Sequence, residues 1–258
     1  MKKYIIALLC VAVGILLVSS MVMAAPGDGN PGNGIKKTSH DLSSQGGNLS
    51  HNVGDANEQA GLDRICIYCH APHNAVKVGS ADAAGVGYLP LWNHKITTTV
   101  FQTYNNGPDD PSDPNHLSAA EILAGQPGSV SKLCLSCHDG TVAVNQYGNA
   151  PSSSRHTGAD KLITDPSLTG RGLIGGGGDL SNHHPIGFDY AAVQATDDEI
   201  APVTASLGVY KIGDLLWAGK MECTTCHDVH NTKNQGEKFL WVSDQNSNLC
   251  LTCHLKNQ

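Results

Sequence analysis

Apolar positions cluster at the start of the chain and are thinly scattered after it. Residues 5–18 form the longest apolar run, which follows the basic pair Lys2-Lys3 and precedes the small-residue segment Val22-Met23-Ala24. A basic start, a short apolar run and a small-residue cleavage site are typical of a secretory signal peptide. The run is too short, and too soon followed by polar glycine-rich chain, to predict a membrane-spanning helix. We therefore predict that residues 1–24 are removed during export.

The rest of the chain favours short elements. The whole sequence contains 29 glycines and 12 prolines, which disfavour long helices and broad sheets. Residues 25–60 form a Gly/Asn/Ser-rich arm, and Ser118–Ala124 begins with a capping-box pattern that predicts a short helix. Residues 145–210 form a long irregular stretch. We predict one domain over residues 25–258 with a flexible N-terminal arm at about 25–60, made of coil, short helices and little strand.

Composition shows that aliphatic side chains alone give this chain a marginal core. From Ala25 onward, Val, Ile, Leu and Phe account for 46 of 234 residues, about a fifth, close to the limit at which a chain fails to bury a core. Without Lys2 and Lys3, 14 basic residues face 23 acidic ones, a net charge of −9. This balance argues against binding to nucleic acid or to an anionic membrane surface.

The cysteines indicate what could complete the core. Cys10 lies in the predicted signal peptide, and the other eight form four pairs, each with two intervening residues and a following histidine. The pairs and their histidines are Cys66/Cys69/His70, Cys134/Cys137/His138, Cys223/Cys226/His227 and Cys250/Cys253/His254. C-x-x-C-H is the attachment signal for c-type haem, in which the two sulfurs form thioethers and the histidine binds iron. The sequence thus predicts a multihaem cytochrome c of mostly irregular coil, with short helices around four covalently attached haems. The apolar macrocycles of these haems would replace the missing aliphatic core.

Three other uses of the cysteines compete with haem attachment. Disulfides suit an exported chain, but they do not require a histidine after each pair. Two Cys₄ zinc sites would also leave these histidines unexplained. A thioredoxin-like redox site needs one pair in a strand–helix setting, whereas this chain has four.

The second axial ligand of each iron decides what the haem can do. An iron with two histidine ligands mainly passes electrons, whereas an open position can bind substrate. Nine histidines remain after the four in the motifs, so two histidines per iron are feasible. His73 and His230 each follow a motif histidine by three residues, and we expect each to bind a neighbouring haem, because positions i and i+3 share one side of a helical turn.

The other distal ligands rest on weaker signals. We predict His184, which precedes Pro185 in a stiff turn, and His40, on the N-terminal arm. His94 and His183 are the first substitutes. His116 is expected at a helix entry, and His51 and His156 in solvated loops. The predicted distal set is therefore His40, His73, His184 and His230.

The motifs, their order and their flanking residues resemble the outer-surface multihaem cytochromes of metal-reducing bacteria, especially the tetrahaem cytochromes that form nanowires. The matching segments are Ser39-His40-Asp41-Leu42-Ser43, Cys66–Asn74, Pro90-Leu91-Trp92-Asn93, Leu133–Gly140, His184-Pro185 and Cys223–His230. The resemblance implies bis-histidine haems in a continuous chain and, in some members, head-to-tail polymers in which a histidine from one subunit binds an iron of the next. His40 is our candidate for that exchanged ligand.

Two function classes follow. In the first, the protein transfers electrons, as the subunit of an extracellular conductive filament or as a monomeric periplasmic shuttle. Its partners would be copies of itself, redox partner cytochromes and extracellular electron acceptors. In the second, it is a redox enzyme or its haem subunit, for example in nitrogen-oxide reduction. We favour electron transfer, because no motif departs from C-x-x-C-H and no cluster of catalytic acid–base residues is evident.

Overall fold

The structure, a computed structural model, describes residues 32–43, 65–77, 89–105, 123, 125–147, 160–164, 172–232 and 238–255. The predicted signal peptide and three histidines (His51, His116 and His156) lie outside these ranges. Of the predicted helix Ser118–Ala124, only Leu123 is described, and it is helical. No helix in the described ranges is long and apolar enough to cross a membrane.

Short helices and coil make up the described fold, as the sequence predicts. The α-helices are α1 (Ser129–His138), α2 (Tyr190–Gln194), α3 (Ile212–Leu215), α4 (Cys223–Cys226) and α5 (Asn248–Cys253). Three 3₁₀ helices cover Ile65–Tyr68, Gly176–Gly178 and Gln245–Ser247. One hairpin pairs β1 (Ser206–Leu207) with β2 (Tyr210–Lys211) in antiparallel register. The Gly175–Gly178 run turns through left-handed backbone at Gly175, Gly177 and Gly178, which glycine adopts without strain.

The apolar core is divided into small clusters. The largest lies in the C-terminal part and includes Phe188, Tyr190, Leu207, Ile212 and Val242. Three smaller clusters surround Trp92, Val144 and Leu135, and each contains one to four buried residues. A core in separate patches agrees with the low aliphatic content of the sequence.

Part of the N-terminal arm is held against the body of the protein. The backbone N–H of Gly34 donates to the Asn231 carbonyl at 2.8 Å, and the Asn231 side chain donates to the Gly34 carbonyl at 2.8 Å. The Gly32 N–H also donates to the Asn231 Oδ1 at 3.1 Å. Within the arm, the buried Asp41 carboxylate accepts hydrogen bonds from Lys37 and Ser43. Residues 32–43 thus have a defined local structure within the arm that the sequence predicts to be flexible; the rest of the arm lies outside the described residues.

Candidate haem-binding sites

All four C-x-x-C-H motifs fold as helical turns. Motif one lies on the first 3₁₀ helix, motif two ends α1, motif three is α4 and motif four ends α5. Two residues between the cysteines place both thiols on one turn, with the histidine at its end. The eight cysteines are free thiols, and among the described residues no group of three or more His, Cys, Asp or Glu side chains could hold a metal ion.

Three motif histidines each have a histidine from a distant part of the chain 6.0–6.3 Å away, measured between ring centroids, and we call two such rings opposite. The ring centroids of His70 and His230 are 6.1 Å apart. Those of His138 and His40 are 6.0 Å apart. The third pair joins motif four to the turn before Pro185: the centroids of His254 and His184 are 6.3 Å apart. Each pair therefore joins a predicted proximal ligand to a predicted distal ligand.

These separations match two imidazoles on opposite sides of one metal. An imidazole nitrogen lies about 2.0–2.1 Å from a first-row metal, and with roughly 1.1 Å from nitrogen to ring centroid the expected centroid separation is about 6 Å. The three measured values lie at this distance. The residues present therefore fit a haem between each pair of histidines.

The hydrogen bonds of the imidazoles also fit iron binding. Nδ1 of His227 lies 2.9 Å from the Lys238 carbonyl, and Nδ1 of His70 lies 2.5 Å from the Pro90 carbonyl. His138 makes the same contact with the Gly172 carbonyl. A carbonyl only accepts, so Nδ1 must carry the proton, and Nε2 keeps the lone pair that a metal needs.

Distal His184 shows the same pattern, because its Nδ1 lies 2.9 Å from the Pro185 carbonyl. His40 differs: its Nδ1 is buried and has no hydrogen-bond partner. Burial, with the nearby His138, His227 and His230, lowers the pKa of His40 to about 4. A neutral imidazole is the form that binds iron.

His73 and His230 occupy different environments although they follow their motifs at the same spacing. Both side chains are exposed, but the ring of His230 lies opposite that of His70, whereas His73 makes no ring contact with another described histidine. His227 in turn has no described imidazole in ring contact. Motif three therefore has a proximal histidine without a distal partner from the described part of the same chain.

The segment before motif two packs against motif one. Residue Asn93 donates from its backbone to the Cys69 carbonyl at 2.9 Å and from its side chain to the Ile67 carbonyl at 2.6 Å. Trp92 and His94 are buried here, and His94 Nε2 lies 2.9 Å from the Cys137 sulfur. His94 thus packs between motifs one and two and is not opposite a motif histidine. His183 is half-buried and also has no histidine partner in the described ranges.

Successive motifs are neighbours in space. The Cys137 thiol is close enough to Cys69 for their charges to interact, and Cys134 makes a side-chain contact with Cys223. Cys226 interacts likewise with Cys253. Burial raises the pKa of Cys69 to about 11 and that of Cys226 to about 12, so these thiols are neutral before a haem is attached.

A buried contact between motifs two and three was not predicted from the sequence. The Glu222 carboxylate, 1 % exposed, accepts a hydrogen bond from the Ser131 hydroxyl across 91 residues of sequence. An acidic residue directly before a C-x-x-C-H motif was the only available signal, and it does not reveal a partner so distant in sequence.

The comparison with known families agrees with this geometry. Residues 217–258 match the family described as the doubled CXXCH motif. This is a haem-binding motif. The match covers motifs three and four and is consistent with a multihaem c-type cytochrome. No curated protein is significantly similar to the chain. The CXXCH motifs indicate covalently attached c-type haem, and such a family fits an electron-transfer protein.

Proposed function

We propose that the protein is a tetrahaem c-type cytochrome that carries electrons along a chain of bis-histidine haems. The observation that supports this most is the set of three histidine pairs with ring centroids 6.0–6.3 Å apart. Each pair would hold one iron from both sides, and such an iron has no open position for a substrate. When bound, the haems supply one-electron Fe(III)/Fe(II) chemistry, and the chain supplies ligands, spacing and burial.

We assign the axial ligands from these pairs. The haem on motif one takes His70 and His230, that on motif two takes His138 and His40, and that on motif four takes His254 and His184. Contacts between the cysteines of successive motifs favour haem neighbours in the order one, two, three, four. His230 adds a link between motifs one and three, because it follows His227 by three residues.

The second axial ligand of the haem on motif three could come from a partner subunit. Among the described residues, His227 has no histidine opposite it, and the exposed predicted distal ligand His73 lies opposite no motif histidine. We propose that His73 of one copy binds the iron on His227 of the next, which would join the subunits head to tail into a filament. His40, our candidate from the sequence, fits this exchanged role less well, because it lies opposite His138 of its own chain.

Substitution of His73 tests the exchange. We expect His73→Ala to lose filaments in electron micrographs and to leave one of its four haems high-spin by electron paramagnetic resonance. His183→Ala is the matched control, because His183 is a partly accessible histidine that lies opposite no motif histidine; it should keep both filaments and low-spin iron. Intact filaments with only low-spin iron in His73→Ala would contradict the exchange.

The histidines outside the described ranges provide further comparisons. His51→Ala, His116→Ala and His156→Ala should each keep the spectrum of the unsubstituted protein. If one of them produces a high-spin haem in the monomer, that histidine is the intrachain ligand opposite His227. The protein would then be a monomeric tetrahaem shuttle that needs no partner subunit, which is the alternative within the electron-transfer class.

The lack of a described histidine opposite His227 also favours a second candidate function, that of a redox enzyme. If no histidine from another subunit reaches His227, its iron keeps an open position at which a small molecule such as a nitrogen oxide could bind. Nitric oxide titration of the assembled protein separates the two functions. Fast binding to one haem in four would favour the enzyme, whereas binding only to unassembled subunits would favour the electron carrier.

Export remains part of this proposal. Covalent haem attachment of this type takes place outside the cytoplasm, and the predicted signal peptide at residues 1–24 would carry the chain there. A filament subunit would then be found outside the cell or at its surface, where extracellular electron acceptors and partner cytochromes are available. Fractionation with detection of covalently bound haem checks this, and haem protein confined to the periplasm would favour the shuttle.

A further inference from the structure

The junction between motifs two and three contains a buried carboxyl group that ligation of iron does not use. Glu222 is 1 % exposed and directly precedes the first cysteine of motif three. Its Oε2 accepts a hydrogen bond from the hydroxyl of Ser131, a residue of α1 that is 0 % exposed. Its Oε1 is buried without a well-formed hydrogen bond, next to Gly128, whose backbone N–H acts on the carboxyl group. A buried carboxyl oxygen without a well-formed hydrogen bond is costly when the group is charged.

The surroundings fix this carboxyl group between the two motifs. The Ser131 hydroxyl also accepts a hydrogen bond from the Cys223 backbone N–H at 3.0 Å, and the Glu222 N–H donates to Thr225 Oγ1 at 3.0 Å. Gly128 leaves space for the carboxyl group, because a Cβ there would lie 2.4 Å from Oε1. The Cys134 and Cys223 side chains are in contact beside it. The carboxyl group therefore lies next to attachment sulfurs of two successive haems.

Few ionisable groups face Glu222 from the described elements around it. Lys220 acts on it electrostatically, but the Lys220 ammonium donates to the Gly187 carbonyl at 3.1 Å. From α1 and α4, the facing groups that could titrate are the Cys134 and Cys223 sulfurs, which lose their protons for good once they are thioethers. Burial raises the pKa of Glu222, and the polar groups of Ser131, Gly128 and Lys220 offset only part of this effect.

We propose that Glu222 is a proton-uptake site coupled to the reduction of the haems on motifs two and three. The proposal rests on the haem assignment above. One electron from a one-electron donor, such as a partner cytochrome, reduces Fe(III) to Fe(II). One proton from solvent converts the Glu222 carboxylate into the neutral acid, so the charge at the junction does not change. Because the junction is buried, the added electron is poorly screened and favours this protonation.

A purely structural role for Glu222 predicts a different result. As a structural group it would only hold α1 against α4, and Glu222→Gln, which can keep a hydrogen bond to Ser131, would leave the redox properties unchanged. As a proton-uptake site, Glu222 makes the midpoint potential of a neighbouring haem fall as pH rises, because each reduction must then take up a proton from solvent to form the neutral acid. One proton per electron changes the reduction equilibrium tenfold per pH unit, about 59 mV for a one-electron couple.

Spectroelectrochemical titration of the haem-loaded protein across pH provides the test. We expect the midpoint potential of at least one haem to fall as pH rises, which corresponds to a change of up to tenfold in its reduction equilibrium constant per pH unit. Glu222→Gln should remove this dependence. Asp198→Asn, which changes an exposed carboxylate, is the matched control and should keep it. Ser131→Ala should move the dependence to higher pH, because the hydroxyl stabilises the carboxylate.

Infrared difference spectra give a second readout that needs no variant. The unsubstituted protein is produced with ¹³C-labelled glutamate residues. On reduction of its haems, the carbonyl band of a protonated, labelled carboxyl group should appear. A potential that does not change with pH, an equal slope in Glu222→Gln, or no such band would each overturn the proposal. Haem spectra of the same samples distinguish failure of this proposal from failure of the haem assignment. If only the proton-uptake proposal is wrong, the spectra are still those of low-spin haem; if the haem assignment is wrong, low-spin haem spectra are absent.

Discussion

At the scale of single residues, backbone carbonyls determine which imidazole nitrogen is available to iron. The acceptors for Nδ1 of His70, His138 and His227 lie 20, 34 and 11 residues away in sequence. Each fixes the tautomer and the ring orientation of a proximal histidine before any metal is bound. The motif supplies the histidine, but a distant loop makes it a well-oriented ligand.

His230 offers the clearest residue-scale prediction. Its replacement by Ala removes the imidazole opposite His70 and should convert one haem of four, about a quarter of the iron, from low-spin to high-spin. Electron paramagnetic resonance of the ferric protein measures this. His183→Ala should leave the spectrum unchanged, and a fully low-spin spectrum in His230→Ala would show that another group binds the iron on motif one.

His73 and His230 also show what local sequence spacing cannot predict. Both stand three residues after a motif histidine, and this spacing predicts the same role for both. Their environments differ because the 89–94 segment packs against motif one, whereas residues 32–34 of the arm bind the turn after His230. Such contacts join residues far apart in sequence, so local spacing predicts the candidates but not which haem each one reaches.

At the scale of elements, the N-terminal arm depends on one turn. Asn231 has left-handed backbone with φ 52° and makes two side-chain hydrogen bonds to residues 32–34. These bonds hold the segment that brings His40 to His138. In the proposed ligand assignment the arm is thus part of the motif-two site. The sequence predicts His40 as a distal ligand, but the composition of the arm does not predict the hydrogen bonds that hold it.

Asn231→Ala should therefore release the arm. Loss of the two bonds is expected to cost about 1–3 kcal/mol, to speed amide hydrogen exchange in residues 32–43 and to raise the high-spin fraction of the haem on motif two. Asn246→Ala controls for backbone strain, because Asn246 has a similar φ of 55° but is exposed. Equal exchange in both variants would rule out the proposed role of Asn231.

The C-terminal cluster supports a second element-scale prediction. Ile212 begins α3 and is 0 % exposed, whereas Val209 in the adjacent hairpin turn is 71 % exposed. Ile212→Ala should lower the free energy of unfolding by about 2–5 kcal/mol, and Val209→Ala by much less. Denaturant titration followed by tryptophan fluorescence measures both. A similar small effect of the two substitutions would show that this cluster contributes little to stability.

The sequence predicts helical turns at the motifs but not the hairpin beside them. Two thiols and an imidazole can serve one haem only on a tight turn, so the motif itself determines that local structure. The hairpin depends on Leu207, which is 1 % exposed and packs with Ile212 and Val242. Because β1 and β2 have two residues each, no alternation of apolar and polar residues is long enough to predict them.

At the scale of the whole molecule, the proposed haems would complete a core that the described side chains form only in separate clusters. The buried clusters are separate, and several imidazoles and cysteines that a haem would cover are partly or fully exposed in the chain alone. Haem burial would therefore supply much of the hydrophobic stabilisation of the N-terminal half.

Production without the haem-attachment machinery tests this dependence. We expect the haem-free chain to lose protection from proteolysis first in residues 32–147 and to retain most of it around the 188–242 cluster, where apolar packing is densest. Mass spectrometry of the limited digest locates the cleavages. Equal resistance along the whole haem-free chain would show that haem is not needed for folding.

The central claim, that four haems are covalently attached to one exported chain, is tested most directly by the intact mass of the purified protein. The account predicts the mass of residues 25–258 plus four haems, with all eight motif cysteines consumed as thioethers. A mass with two haems, confined to motifs three and four, would contradict the tetrahaem assignment. A mass with no haem would contradict the proposed function as a whole.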